Sequence, residues 1–179
     1  QSLFKSGDEA SMLQTYRLAT EVGAMRAGSD YKEMAQLALE KGLPAEAQTA
    51  VEAGFARKAF VEQREIDSNN RLLTSAKGRV AADKAGLAQR EKQAAAGKDG
   101  EADLAVAESY LSYGQFPEAI AAAQRGIAKG VKDPANAQLV LGIAQYRAGN
   151  KAEAVKAFKS VKGNESLRRL AKLWSLRAS

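Results

Sequence analysis

The chain contains no cysteine and no histidine. The first absence removes disulfides, thiol nucleophiles and cysteine-held zinc, and the second removes the commonest general base near neutral pH and the commonest nitrogen ligand for metals. Proline is scarce, at three residues, and aromatic residues make up 6% of the chain. That scarcity suits helices packed through small side chains. No apolar run approaches the ~18 residues a membrane-crossing helix needs, and no basic-apolar-small leader is seen, so neither a transmembrane segment nor a retained signal peptide is expected. Catalysis would fall to carboxylates such as Glu62/Glu65 and Glu101/Asp103, but surface helices carry such pairs routinely. None of the glycines sits in a phosphate-cradling motif after a strand. The expectation is a protein that is not an enzyme, with no metal site and no cofactor.

What is present in quantity is Ala, Leu, Glu, Lys, Gln and Arg, the side chains that lose least on entering a helix. The fold class expected is all-α. The stretch Leu141 to Phe158 reads as a helix, a turn at Gly149 and a second helix, with Leu141-Gly142 allowing a neighbouring helix close and Ala154 and Phe158 four residues apart on one face. Such a hairpin cannot bury its apolar face alone and predicts copies of itself. Turn-candidate glycines recur at Gly7, Gly42, Gly78, Gly114 and Gly149, 35 or 36 residues apart. Gly42, Gly114 and Gly149 are each followed four and five residues later by Glu-Ala: Glu46-Ala47, Glu118-Ala119 and Glu153-Ala154.

In chain order, 8–57 holds the first hairpins. Asp8 is the expected cap of a helix reaching about Glu21, with Met12, Tyr16 and Ala19 on one stripe. If Gly7 is a repeat turn, Gln1 to Lys5 are only the tail of a first helix, so the array is expected to begin earlier in the natural protein. Ser29 and Asp30 are cap candidates for the next helix, which puts Tyr31, Met34, Ala35 and Ala38 on one face. Gly42-Leu43-Pro44 forces a turn, with proline suited to the first helical position. The span 62–97 is either a degenerate repeat turning at Gly78 or one long helix; Leu73, Val80, Leu87 and Ala94 are spaced by seven straight through Gly78, which favours the helix, since an interior glycine costs only about 1 kcal/mol. Repeats follow at 100–131 and 135–162. A helix over 164–177 carries Leu167, Leu170, Ala171 and Trp174 on one face and Arg168, Arg169, Lys172 and Arg177 on its back, as a capping helix should. Trp174 is expected to be a buried structural residue closing the array against Val155, Phe158 or their neighbours.

The net charge of +6 is concentrated: from Arg147 onward nine Lys and Arg face two Glu, and the rest of the chain sums to −1. The simpler reading is a solvated face that keeps the last repeat soluble; the alternative is electrostatic binding of nucleic acid or anionic membrane. Only Phe158 and Trp174 are aromatic after Tyr146, and both fall on apolar stripes, so no stacking platform is in view and nucleic acid is the less favoured partner.

The helix, glycine turn, Glu-Ala and helix pattern resembles the tetratricopeptide repeat, whose period is about 34 residues. The resemblance is strongest over Asp103 to Val161, extends over Asp30 to Arg57, and is faint over Ser68 to Ala96. Tyr31-Lys-Glu-Met-Ala-Gln-Leu-Ala-Leu39, Gly42-Leu-Pro-Ala-Glu-Ala47, and the tail order Val161-Lys-Gly-Asn164 then Leu170-Ala-Lys-Leu-Trp174 look like the C-terminal part of a group of uncharacterised proteobacterial repeat proteins. The chain departs from the repeat consensus in lacking the first-helix tryptophan and in placing its helical aromatic, Tyr146, one residue late. The resemblance implies an α-solenoid that binds a protein or peptide on a concave surface lined by the first helix of each pair. The matching positions are Lys32, Gln36 and Leu39, then Leu104, Glu108 and Leu111, then Leu139, Ile143 and Tyr146. The lysine, asparagine and arginine set that clamps chaperone tails in some family members is incomplete here, because Leu104, Ala105, Leu139 and Val140 stand in later groove positions. Leu139, Ile143 and Tyr146 lie opposite Leu141, Ala144 and Ala148, so that helix is apolar on two sides. Either the first stripe is an open hydrophobic groove, or neighbouring helices bury both.

Overall fold

The computed structural model describes residues 9–179; the turn expected at Gly7, the cap at Asp8 and the segment 1–5 lie outside them. Among the described residues all regular structure is helical: α1 (Glu9–Glu21), α2 (Gly28–Glu40), α3 (Pro44–Ala56), α4 (Gln63–Ala96), α5 (Gly100–Ser112), α6 (Phe116–Lys129), α7 (Pro134–Arg147), α8 (Lys151–Lys159) and α9 (Glu165–Ala178). The described residues divide into two compact units, one of Thr15–Gly86 and one in which 9–14 join Leu87–Ser179.

The recurring glycines have a backbone reason at four helix ends. Gly23, Gly42, Gly114 and Gly149 take φ between +68° and +84°, a region open to glycine at no steric cost. In each case the next residue's N–H donates to the carbonyl five residues back: Ala24 to Ala19 (2.7 Å), Leu43 to Ala38 (2.8 Å), Gln115 to Tyr110 (3.0 Å) and Asn150 to Gln145 (2.9 Å). This is the Schellman closure, which satisfies orphan carbonyls and reverses the chain in few residues. After α3 the same closure is made without glycine, Lys58 taking φ +53° while Ala59 donates to Gly54 at 2.9 Å.

Gly78 does not turn. It lies inside α4, a single helix of 34 residues, so the span expected to be either a hairpin or a long helix is one helix. Helix starts follow the expected chemistry with one correction. Asp133 caps α7 by accepting from Asn136 N at 3.0 Å, Asn164 caps α9 by accepting from Leu167 N at 3.1 Å, and Pro44 stands at the start of α3. For α2, however, neither Ser29 nor Asp30 is the cap: Ala27 is, and Asp30, three residues on, reaches back to the Arg26 and Ala27 amides at 3.0 Å each. The acidic side chain serves as the returning half of a capping box, where it also meets the positive end of the helix.

In the Thr15–Gly86 unit α2 packs on α3. Phe60 returns over the pair, its ring lying where a Cβ on Gly28 or Gly54 would be, and meets Phe55 edge-on at 4.9 Å. Two glycines are thus what admit one ring. Arg17 makes a two-pronged bond to Glu46 at 2.7 Å through both Nε and NH2, and Tyr16 donates to Glu33 at 2.8 Å. Burial first, and that bond second, hold the Tyr16 phenol well above its ordinary pKa.

In the other unit α5 packs on α6, α6 on α7, α7 on α8, and α8 on α9. Leu104, Val106, Ala107 and Tyr110 of α5 share a core with Ala119, Ala122 and Ala123 of α6 and Ala137, Val140 and Ala144 of α7. Small residues on α6 let the helices come close: a Cβ on Gly100 would collide with the Gly126 and Gly130 carbonyls, and one on Gly126 would stand 2.8 Å from Gly100 O. Phe158 of α8 fills the space over Gly142 of α7. Trp174 of α9 is 0% exposed, stacked on Phe158 at 6.1 Å and edge-on to Tyr146 at 5.4 Å.

Candidate partner-binding site

The nine positions marked for partner contact fall into two groups. In the Thr15–Gly86 unit, Lys32, Gln36 and Leu39 lie at i, i+4 and i+7 and so share one stripe of α2. Gln36 is exposed and the other two are half-buried, whereas the opposite side of α2, with Tyr31, Met34, Ala35 and Ala38, is core. This stripe is reachable, with a cation, an amide and an aliphatic chain in sequence.

In the second unit the corresponding positions are mostly covered. Leu104, Glu108, Leu139 and Ile143 are buried, and Leu111 and Tyr146 half-buried. Leu104 and Leu111 belong to the α5–α6–α7 core, and the Tyr146 ring is committed to Trp174. Of the two readings open for α7, burial holds: this helix presents no open apolar groove along Leu139 and Ile143. The repeat positions behave as packing sites, Ala47, Ala119 and Ala154 having no exposure at all and Leu141 lying against the core.

A buried ion cluster in this unit was not legible in the sequence as a unit. Asp103, 0% exposed, takes Arg125 Nε at 2.5 Å and stands 2.7 Å from Lys129 Nζ, the second being an ion pair without hydrogen-bond alignment. Arg125 continues to Glu91 at 2.9 Å, and Lys129 donates to the Ala94 carbonyl at 2.6 Å. Burial on its own would lower the Arg125 pKa, but the bonds to Asp103 and Glu91 outweigh it and hold the guanidinium above its usual value. The cluster ties α4, α5 and α6 together. Its signal in the sequence is only Asp103 on an otherwise apolar helix face, with two cations four residues apart on the next helix.

Three of the four carboxylates considered as acid and base have structural uses. Glu65 accepts from the Val61 and Glu62 amides at 3.3 and 3.5 Å, Glu101 accepts from the Lys132 amide at 2.5 Å, and Asp103 is neutralised by its two cations. Among the described residues no three acidic side chains come together as a metal site, and no helix is long and apolar enough to cross a membrane.

At the basic end, Lys156, Lys159 and Lys162 with Ala152, Val155 and Ser160 line a shallow depression of ≈ 500 Å³. The back of α9 is not purely basic: Leu173 and Leu176 are 46% and 68% exposed, on the same side as Arg169 and Lys172. No protein-family model, no curated protein and no solved structure matches this chain.

Proposed function

We propose that this chain is a non-catalytic interaction scaffold of tetratricopeptide-like hairpins arranged as an α-solenoid, which binds a protein or peptide on the inner side of its first helices. The hairpins of the reading are α2–α3, α5–α6 and α7–α8, with α9 as the cap. The observation that carries it is the contrast along α2: one side is fully committed to core, while Lys32, Gln36 and Leu39 leave a mixed cationic, amide and aliphatic stripe within reach of a partner. The absence of histidine and cysteine, and the structural occupation of Glu65, Glu101 and Asp103, speak against chemistry of its own. Peptides selected on the intact protein from a random library should lose about tenfold or more in affinity on combining Lys32→Glu with Leu39→Glu, the size of a modest hot spot, while the melting temperature stays within a few degrees. Failure to select any peptide, or equal binding by the double variant, would remove the reading.

A second reading, adhesion to an anionic membrane surface, is favoured by Leu173 and Leu176 standing exposed beside Arg169 and Lys172, the amphipathic arrangement that lies in a lipid interface with its cations at the headgroups. Nucleic acid is disfavoured because Phe158 and Trp174 are both buried and offer bases nothing to stack on. Vesicles rich in phosphatidylserine should co-sediment the protein at low salt and release it as salt rises, and Leu173→Ser with Leu176→Ser should abolish the effect. Sedimentation that is equal with neutral vesicles, or unaltered in the variant, would count against it.

A further inference from the structure

α7 bears buried residues around most of its circumference, and each of those sides must be covered. Two covers come from its neighbours in the chain: Val140 and Ala144 join the core shared with α5 and α6, and Gly142 and Tyr146 meet Phe158 and Trp174. The third side is the stripe Asn136, Leu139 and Ile143, 5%, 0% and 1% exposed. One end of it is met from 122 residues earlier: Gln14 Nε2 donates to Asn136 Oδ1 at 2.9 Å, in a fully buried bond. Leu13 and Gln14 are themselves 0% and 1% exposed.

The geometry points to a helix-binding groove on this side of α7, closed in cis by the start of α1, and to a partner helix that presents a leucine followed directly by a carboxamide. This deepens the scaffold reading and rests on it. The Asn136–Gln14 pair is the selective element. An occupant lacking a polar group at that point strands a buried amide, which is costly, whereas one carrying a carboxamide restores the bond. Tethering sets the terms of exchange. A segment of the same chain is present at high effective concentration, so a partner helix in trans meets a groove that is open only for the fraction of time α1 is out, and its apparent affinity falls by that fraction. Displacement of α1 is then the step that licenses binding.

The test uses the full chain and a fluorescein-labelled peptide of residues 9–21, followed by anisotropy. Leu13→Asp with Gln14→Ala places a charge in a site without water and evicts α1; this chain should bind the peptide at least tenfold more tightly than the wild type, and adding Asn136→Leu should cancel the gain. A variant that keeps its helical circular dichroism yet binds no better than wild type overturns the proposal. Tight binding by the wild type itself overturns the closure alone and leaves the scaffold reading standing. In case the evicted chain does not fold, cysteines at positions 14 and 136 of this otherwise cysteine-free chain supply a second measurement. A short bifunctional thiol reagent should join them within one chain and suppress peptide binding; joining only between chains, or binding unaffected by the link, would overturn occupancy in cis.

Discussion

Trp174→Ala is expected to lower stability by about 4 kcal/mol, the range for deleting a large buried ring whose surroundings close only in part. The ring is fully enclosed and held from two directions, by Phe158 stacked at 6.1 Å and by Tyr146 edge-on at 5.4 Å. Both neighbours are themselves tied into the last hairpin, Phe158 by lying over Gly142, so neither can swing into the cavity without leaving its own place. Trp174→Phe should cost much less. It keeps most of the contact area, and it removes an indole N–H that finds no acceptor among the described residues, a group whose burial is unfavourable to begin with. Urea unfolding followed by circular dichroism measures both variants, and hydrogen exchange should show α7, α8 and α9 losing protection first. Equal loss in the two variants, or emission of Trp174 at the wavelength of indole in water, would show that α9 does not close this end of the unit.

Asp103→Ala is expected to cost about 3 kcal/mol, near the lower edge of what breaking a buried ion pair costs. The reason lies less in the attraction lost than in what is left behind: Arg125 and Lys129, with side chains 28% and 18% exposed, would keep Glu91 as the one carboxylate between them, with the Ala94 carbonyl on Lys129. Their residual exposure to water is why the lower edge applies. Asp103→Asn should cost less, because an amide oxygen still accepts from Arg125. Replacing Asp103, Arg125 and Lys129 together by apolar residues of similar length should cost less than Asp103→Ala alone, since the desolvation of the charges disappears with them. Urea midpoints of the three variants test the order. If the triple replacement is the most damaging, the cluster contributes through attraction and the argument from stranded cations fails.

Much of the helical layout is legible residue by residue. Gly42, Gly114 and Gly149 mark turns because a helix that ends on the Schellman closure needs a positive φ at one position, a local demand that glycine answers. The Asp133 and Asn164 caps are equally local. Gly78 keeps the spacing but does not turn, because an interior glycine costs a helix only about 1 kcal/mol and a Cβ placed there would meet no other part of the chain. Neither Ser29 nor Asp30 is the cap of α2, Ala27 standing there instead. The helix starts where Asp30 can reach back to two amides, so the acid's useful position, not the hydroxyl, places the first turn.

The sequence by itself determined that the chain is helical, where most helices reverse, and which stripe of most is apolar, since these depend on residues within one or two turns of each other; whether 62–97 turned at Gly78 it left open. Only the tertiary structure decided what each stripe faces. Leu139 and Ile143 look alike whether a groove is open or filled, and only the fold shows them buried, with Asn136 on the same stripe bonded to a side chain 122 residues away. Asp103 looks like half of an acid pair with Glu101 until Arg125 and Lys129 arrive from the next helix and Glu91 from the one before. Such contacts are set by how rigid helices fit against each other, through glycines that admit a ring or a backbone and through buried charges that must meet their opposites, and no periodicity within one segment encodes the identity of the other.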